Sequence, residues 1–207
     1  MATSESPRLP SAVGEPTWEA AYFFPLQGQW HEDDFLRFHT NRMAELVDGR
    51  LELLPMPTLK HQRMLIWLLD LFRVAIVDQK NAMVLIAPLP IKLFPGTIRE
   101  PDLLYIAPEN SPDEGVDYPI HIDLALEIVS EGTEARKRDY GDKRHDYAQA
   151  GVSEYWIVDP QDECVTVFTL DRHAMTFRIH GVFHRKDFAN SLLLQKLNVC
   201  VDELFAA

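Results

Sequence analysis

The chain has 207 residues, of which 46% are hydrophobic and 25% are charged, so it can bury a core of ordinary globular size. Its formal net charge of −12 excludes a protein that coats nucleic acid through its overall field, because such domains are usually basic. Contact with nucleic acid therefore requires a local basic patch. We expect a single domain over residues 26–207, after a loosely ordered tail over residues 1–25 that lacks the basic and apolar blocks of a signal peptide.

The sequence predicts neither a membrane segment nor a thiol-based site. The most apolar run, residues 64–72, contains Asp70 and is far shorter than the ~20 residues that cross a bilayer. Cys164 and Cys200 lack CxxC or Cys/His ligand spacing. We therefore expect two reduced thiols and a cytoplasmic location.

The first part of the chain is predicted to form a helix, a hairpin and a scaffold helix. A short helix over residues 31–40 has acids in its first turn, where they complement the helix dipole. Asp48-Gly49, within 44–55, is a favoured two-residue turn between alternating strands. Apolar residues at helical spacing predict a buried helix over residues 58–79. The hairpin residues assigned to the core are Leu46, Leu51 and Leu53.

The rest of the chain adds strands, which outnumber the helices. Residues 83–94 and 98–107 are predicted to pair as a second hairpin, and residues 108–119 to form a loop. A helix over residues 133–150 is predicted to stop at Gly151. Further strands are expected at 121–129, 154–159, 164–170, 176–180 and 182–188, with a final turn at 201–206.

The predicted fold class is α/β, with a mixed sheet, an N-terminal hairpin and flanking helices. The sequence contains no GxGxxG, GxxxxGK[ST], GxSxG or HExxH motif. The commonest nucleotide-binding, serine hydrolase and metalloprotease classes are therefore excluded.

Two acids begin or interrupt predicted strands. In 121-HIDLALEIV-129 the apolar residues alternate onto one face, which leaves Glu127 on the opposite, more polar face of a half-buried strand. An acid within so apolar a strand needs a partner. Asp102 begins another strand directly after Pro101. Because Mg²⁺ is usually held by one or two carboxylates, with water and phosphate completing its shell, these two acids are candidate ligands for one cation.

Two acids that hold a cation are typical of metal-dependent phosphodiester cleavage, a reaction that also requires a positive charge near the phosphate. Lys143 is the candidate for that charge. Many nucleases place this lysine two residues after the acid, a position that Val129 occupies here. The predicted helix supplies Lys143 instead, on a stripe that also carries Tyr147 and that should face the sheet. Asp139 lies one turn earlier and is spaced to orient the ammonium. The stripe consists of Arg136, Tyr140, Lys143, Tyr147 and Ala150.

Structural alternatives stay open for all three candidates. Asp102 is also typical of a strand-entry acid bonded to nearby amides. Glu127 has an alternative partner in Arg136 or Arg138, with which it would form a purely structural ion pair. Lys143 has the alternative of extending to solvent with its stem over a tyrosine ring.

Weaker candidates lie in the hairpin, at the start of the scaffold helix and along the basic run of residues 136–144. Glu45 falls opposite Glu52, an unfavourable pair that Arg50, open solvent or a bound cation would relieve. His61 is a candidate for the metal shell or a phosphate, or else a structural hydrogen-bonding residue. The basic run is a solvated helix face or a site for a phosphate backbone. Its candidate backbone contacts are Arg136, Lys137, Arg138 and Arg144.

A resemblance extends over residues 30–205 and rests on 44-AELVDGRLELLPMP-57, His61, 101-PDLLYIAP-108, residues 127–160 and 164-CVTVFTL-170. These segments resemble the Uma2 family of restriction-endonuclease-like proteins, within the PD-(D/E)XK nuclease superfamily. The resemblance implies a restriction-endonuclease-like core in which Asp102 and Glu127 bind Mg²⁺ or Mn²⁺ and Lys143 is the migrated lysine. Glu45 and His61 match family positions, and a homodimer is implied.

The sequence therefore favours a metal-dependent endonuclease that hydrolyses phosphodiester bonds in DNA. Its predicted catalytic residues are Asp102, Glu127 and Lys143, with Tyr147 in support. The alternative is a noncatalytic nucleic-acid or protein interaction module on the same fold, which the net charge of −12 favours.

Overall fold

The computed structural model describes residues 24–38, 43–113, 115–116 and 118–207. The predicted tail lies mostly outside these residues. Within them, the helices are α1 (Glu32–Arg37), α2 (Leu59–Ala75), α3 (Thr133–Lys137), α4 (Arg144–Gln149) and α5 (Val201–Ala206), with a π-helical segment at Arg138–Lys143. The strands are β1 (Ala44–Val47), β2 (Arg50–Leu53), β3 (Met83–Ile86), β4 (Ile91–Phe94), β5 (Thr97–Arg99), β6 (Leu103–Ile106), β7 (Leu124–Ile128), β8 (Glu154–Asp159), β9 (Cys164–Asp171), β10 (Thr176–Phe183), β11 (Phe188–Asn190) and β12 (Asn198–Cys200).

Two larger sheets and one short ribbon organise the described residues. A six-stranded sheet has the order β10-β9-β8-β7-β6-β3, a four-stranded sheet has the order β2-β1-β5-β4, and β11 pairs with β12. In the six-stranded sheet only the β7–β8 pair is parallel, since α3 and α4 lie between these strands in the chain. The predicted mixed-sheet α/β fold with an N-terminal hairpin is confirmed.

Helices cover both faces of the six-stranded sheet. On one face, apolar residues of α2 and α5 form a core with those of β6, β7 and β8. On the other, Tyr147 of α4 packs in a second core with residues of the same strands. The strand β7 is therefore buried along its whole length. The prediction of a half-buried strand with Glu127 on an outward face is wrong, because the helices that follow β7 fold back over that face.

The predicted antiparallel pairing of residues 83–94 with residues 98–107 is confirmed, but the hairpin does not lie within a single sheet. Its two halves are divided between the sheets: β3 pairs with β6 in the six-stranded sheet, whereas β4 pairs with β5 in the four-stranded sheet. Prolines occupy both crossing points, residues 87–90 and 100–102, where they cannot donate to a strand ladder. Asp102 therefore lies where the chain enters the six-stranded sheet.

Two smaller predictions fail for reasons of packing and register. Leu46 is fully buried but Leu53 is 49% exposed, because β2 is an edge strand with only β1 beside it. The two strands predicted at 176–180 and 182–188 are mainly one strand, β10, which crosses Gly181 with a bulge in its pairing to β9.

The predicted helix over residues 133–150 is present, but its middle turn is π-helical. The predicted stripe contained Arg136 and Tyr140, whereas the buried residues lie one position earlier in each case. At Lys143 and Tyr147 the prediction and the structure agree, so these buried positions follow at intervals of four residues. An interval of four drifts around an α-helix of 3.6 residues per turn, and the wider π turn offsets that drift. The buried residues are Ala135, Asp139, Lys143, Tyr147 and Ala148, of which the first four follow at intervals of four.

Among the described residues, no helix has the length and apolar character needed to cross a membrane.

Candidate active site

Asp102 and Glu127 line the same small cavity, between the two sheets and the π-helical segment. Leu103 of β6 lies opposite Leu126 of β7, so Asp102 and Glu127 are the next residues along these neighbouring strands. The cavity has a volume of about 30 Å³, which is enough to admit water. Asp102 is 8% exposed and Glu127 is 4% exposed. The structure thus brings the two predicted acids together.

Lys143 reaches the same cavity and is 1% exposed. Its Nζ donates to Oε1 of Glu127 at 2.8 Å and lies 2.9 Å from Oε1 of Glu45. The alternative in which Lys143 extends to solvent is therefore wrong. Glu127 pairs with Lys143 rather than with Arg136 or Arg138, so that alternative is wrong as well.

Tyr147 lies one helical turn after Lys143 and bonds the same carboxylate. Its hydroxyl donates to Oε1 of Glu127 at 2.8 Å, and its ring packs against Tyr155 with centroids 5.1 Å apart. Oε1 therefore receives two donors, whereas no donor among the described residues bonds Oε2. The second carboxylate oxygen of Glu127 is the one free to bind another group.

Asp102 is held by two donors on one of its oxygens. The backbone amide of Ile128 donates to Oδ2 at 2.7 Å, and Nε2 of His61 lies 3.1 Å from it. Because a carboxylate only accepts hydrogen bonds, Nε2 carries the proton of this imidazole. The structural alternative for Asp102, a bond to a nearby amide, is thus present, and its Oδ1 has no donor among the described residues. Nδ1 of His61 is buried there without a partner.

Arg99 is a buried residue that the sequence analysis did not single out. Nη1 donates to Oε2 of Glu45 at 2.8 Å, and Nη2 and Nε donate to Oδ2 of Asp146 at 2.6 and 3.0 Å. Nη1 also lies 3.6 Å from Glu52. Glu45 does face Glu52 across the hairpin, as predicted. Arg99 relieves the repulsion between them, a role that the sequence had assigned to Arg50, solvent or a bound cation. A basic residue within the predicted strand 98–107 was its one signal in the sequence.

Burial and charge together determine the protonation of the two glutamates. Burial raises the pKa of Glu127 to about 8, because the attraction of Lys143 does not offset burial and the repulsion of Asp102 adds to it. For Glu45, the attraction of Lys143 and Arg99 outweighs burial, so its pKa is lowered. Burial would lower the pKa of Lys143, but the attraction of Glu127 and Glu45 raises it. Of the two glutamates, Glu127 therefore has the smaller positive charge around it.

Two further acids line the cavity without having been predicted as ligands. Glu100 accepts a bond from the amide of Ala44 at 3.3 Å, and burial raises its pKa to about 7. Asp139 is 2% exposed, and burial raises its pKa to about 6. Oδ1 of Asp139 is buried without a hydrogen-bond partner in the described part of the chain. Asp139 acts on Lys143 through its charge, and the cavity contains more carboxylates than the sequence indicated.

The four basic residues predicted to contact a phosphate backbone lie in different environments. Arg136 is bound by two carboxylates of the turn at residues 159–162. Arg138 lines the cavity, and Lys137 is exposed. The guanidinium of Arg144 lies 5.6 Å from the centre of a phenylalanine ring. Only Arg138 is in the wall of the candidate site, so a shared role for all four stays a prediction.

The fold and the site together define a restriction-endonuclease-like protein: a helix-flanked mixed sheet with two acids on neighbouring strands and a buried lysine beside them. A family model, Uma2, described as "Putative restriction endonuclease", matches residues 32–201. The chain therefore belongs to the Uma2 family, as the resemblance in its sequence predicted.

A crystal structure described as that of "a putative nuclease belonging to DUF820" from Anabaena variabilis has the same fold. It aligns with a TM-score of 0.70 and 19% sequence identity, over 88% of this chain and 98% of that chain. None of the curated proteins matches the chain.

Proposed function

We propose that this protein is a Mg²⁺- or Mn²⁺-dependent endonuclease that hydrolyses phosphodiester bonds, with DNA as its substrate. The observation that carries the proposal is the buried Lys143, bonded to Glu127 at 2.8 Å and to Glu45 at 2.9 Å in the cavity that Asp102 also lines. Placing several charges in a dry site costs stability, because desolvation commonly exceeds the attraction between the ions. A cluster of this kind is typical of a functional site.

The residues of the site fit a hard divalent cation, although no group of three His, Cys, Asp or Glu side chains among the described residues stands ready to hold one. Mg²⁺ commonly uses only one or two carboxylates. Asp102 and Glu127 each have one oxygen without a donor in the described part of the chain. Oδ1 of Asp139 is buried there without a hydrogen bond, 3.4 Å from Nε of Arg138. A cation held by Asp102 and Glu127 would activate water and offset negative charge on the phosphate.

The side chains of the protein have separate roles in this proposal. Lys143 stabilises the charge that develops on the phosphate oxygens. Glu45 keeps the ammonium charged and in place, and Tyr147 occupies the inner oxygen of the neighbouring glutamate. His61 holds Asp102 through its Oδ2, which leaves Oδ1 without a donor among the described residues.

Cleavage of supercoiled plasmid and of single-stranded DNA with Mg²⁺ or Mn²⁺ tests the proposal. Asp102→Asn and Glu127→Gln should each lower the rate on the order of 10²-fold or more, because charge stabilisation in a dry site is lost. Asp78→Asn is the matched control, since Asp78 is exposed and bonded to Lys196 at the surface. Folding is checked for every variant by circular dichroism.

Lys143→Met should also abolish cleavage, with the exposed Lys137→Met as its control. Because Lys143→Met leaves the buried Glu127 without a cationic partner and Glu45 with Arg99 alone, it should cost about 3–5 kcal/mol of stability. Lys143→Arg keeps a positive charge but changes its position, so the cleavage rate of this variant shows whether the position of the charge matters. Unchanged cleavage in the Asp102, Glu127 and Lys143 variants would contradict the proposal. A calorimetric titration with Mn²⁺ that shows no binding dependent on these two acids would favour the noncatalytic interaction module.

A further inference from the structure

We infer that a second cavity, beside the candidate active site, binds one unstacked nucleobase of the strand to be cleaved; this inference rests on the proposed nuclease function. We call this cavity the base pocket. Its volume is about 220 Å³. It shares four lining residues with the smaller cavity of Asp102 and Glu127, so the two are contiguous. The shared residues are Pro55, His61, Ile128 and Ser130.

The two cavities together have the sizes needed for one nucleotide. A cavity of about 150 Å³ holds a benzene ring. The base pocket, at about 220 Å³, therefore has room for a single or fused heteroaromatic ring. The smaller cavity, at about 30 Å³, is too small for an aromatic ring and admits only small groups such as water or the oxygens of a phosphate. A nucleotide whose phosphate reaches the acids thus has the base pocket next to it.

The lining of the base pocket suits an aromatic ring with polar edges. Met64 and Val129, which are 1% and 3% exposed, supply apolar wall, and a thioether makes favourable contacts with aromatic rings. Gln161 lies at the rim, and its side-chain amide donates to the carbonyl of Ser130 at 3.4 Å. That bond is at the long end of the range, so a base edge can replace it. Lys60 is exposed beside the pocket and offers a positive charge to an adjoining phosphate.

The burial of the acids favours a strand whose base has left the stack. Asp102, Glu127 and Lys143 are 8%, 4% and 1% exposed, so a phosphate must enter a recess to reach them. The net charge of −12 supplies no long-range attraction for any nucleic acid, so binding depends on local contacts such as those of the base pocket. Turning a base outward lets the backbone approach, and it costs least where the base is unpaired. The substrate class indicated is therefore DNA with an unpaired nucleotide at the cleaved bond.

Abasic scanning of a labelled single-stranded oligonucleotide tests the inference. The base is removed at one position at a time, and binding to wild-type protein is measured by fluorescence anisotropy while the cleavage position is mapped with Mg²⁺. Loss of one base next to the cleaved bond should weaken binding about tenfold, the scale of a single base contact. Losses elsewhere should have smaller effects.

The second part of the experiment uses Gln161→Trp, whose larger side chain fills the base pocket from its rim. This substitution should weaken binding of the intact oligonucleotide and have no further effect on the one that is abasic at the sensitive position. The control is Gln149→Trp, another exposed glutamine whose amide bonds a backbone carbonyl, at 3.0 Å, away from the pocket. The control should bind both oligonucleotides like the wild type.

The outcomes separate this inference from the proposed function. If wild-type protein cleaves DNA but every abasic position binds alike, the base pocket is wrong and the nuclease stands. If one base is needed for binding but no cleavage occurs with either metal, the nuclease is wrong and the pocket stands. Absence of binding, or an equal effect of Gln161→Trp on intact and abasic strands, overturns the inference.

Discussion

At the scale of residues, Lys143 shows how a charge is kept inside this protein. Burial alone favours the neutral amine, but Glu127 and Glu45 hold the ammonium and raise its pKa. The two acids then differ, because Glu45 also binds Arg99 at 2.8 Å. Glu127 has Lys143 as its one cationic partner in the described residues. Its carboxyl therefore keeps a proton to a higher pH, which a bound cation would displace.

We predict that the metal-free protein loses stability as the pH rises from about 5 to about 8. Buried Glu127, Glu100 and Asp139 have pKa values of about 8, 7 and 6, above their ordinary values. The folded state therefore binds more protons than the unfolded state in this range, so stability is present at the lower pH and lost at the higher. The free energy of unfolding, measured in urea, should fall on the order of 1 kcal/mol per pH unit.

Glu127→Gln is the control for this pH dependence. The amide cannot titrate, so the slope should decrease over the whole range from about pH 5 to about 8 and be smallest near its upper end. A reduced slope should persist in the lower part, because Glu100 and Asp139 are unchanged. A free energy of unfolding that rises across the window in the wild type would contradict the assignment.

At the scale of elements, the π-helical segment Arg138–Lys143 brings the lysine to the sheet. It places Asp139 and Lys143 on the buried side, one turn apart. The backbone carbonyl of Asp139 accepts a bond from the hydroxyl of Tyr155 at 2.9 Å, so a tyrosine on β8 anchors the widened turn. π turns often occur at functional sites, which agrees with the position of this one.

Gly141, within this segment, is expected to tolerate a methyl group. No atom lies within 4 Å of an ideal Cβ at this position, and alanine has the higher helix propensity. Gly141→Ala should therefore raise the free energy of unfolding by about 0.5–1 kcal/mol, measured in urea, and leave cleavage unchanged.

A destabilised Gly141→Ala protein would show that the π turn itself needs the freedom of glycine. The matched control is Gly49→Ala in the first hairpin. Gly49 has a φ of +72°, and a Cβ there would lie 2.8 Å from the carbonyl oxygen of Gly28. This second substitution should destabilise the protein, by about 1 kcal/mol or more.

At the scale of the whole molecule, the candidate site joins parts of the chain that are otherwise separate. Glu45 and Arg99 come from the four-stranded sheet, Glu127 comes from the six-stranded sheet, and Lys143 and Asp146 come from the helical segment between β7 and β8. Their buried bonds connect the two sheets. A ligand at this site should therefore stabilise the fold as a whole.

We predict that Mn²⁺ raises the melting temperature of the protein. A ligand at 100 times its dissociation constant adds about 2.7 kcal/mol, which corresponds to roughly 5–10 °C for a chain of this size. The effect should be larger near pH 8 than near pH 6, since the cation competes with the proton on Glu127. Differential scanning calorimetry measures it. In the Asp102→Asn/Glu127→Gln double variant the increase should vanish, and an unchanged increase would place the metal elsewhere.

Local patterns in the sequence predicted the parts of the protein that depend on near neighbours in the chain. The Asp48-Gly49 turn, the scaffold helix α2 and the strands β7, β8 and β9 follow from turn chemistry and from periods of two and 3.6 residues. The same periods, together with the resemblance to Uma2, pointed to Asp102, Glu127 and Lys143 before their distances were known. For these three side chains to come together, it was sufficient that elements adjacent in the chain pack against each other in the expected order.

Tertiary structure alone decided what depends on distant residues. Arg99 binds Glu45 and Asp146, which lie 54 and 47 positions away in the chain, and no local pattern indicates either partner. The division of residues 83–107 between two sheets and the base pocket beside the acids have the same origin. Periodicity determines which face a side chain occupies, whereas the packing of whole elements determines what that face meets.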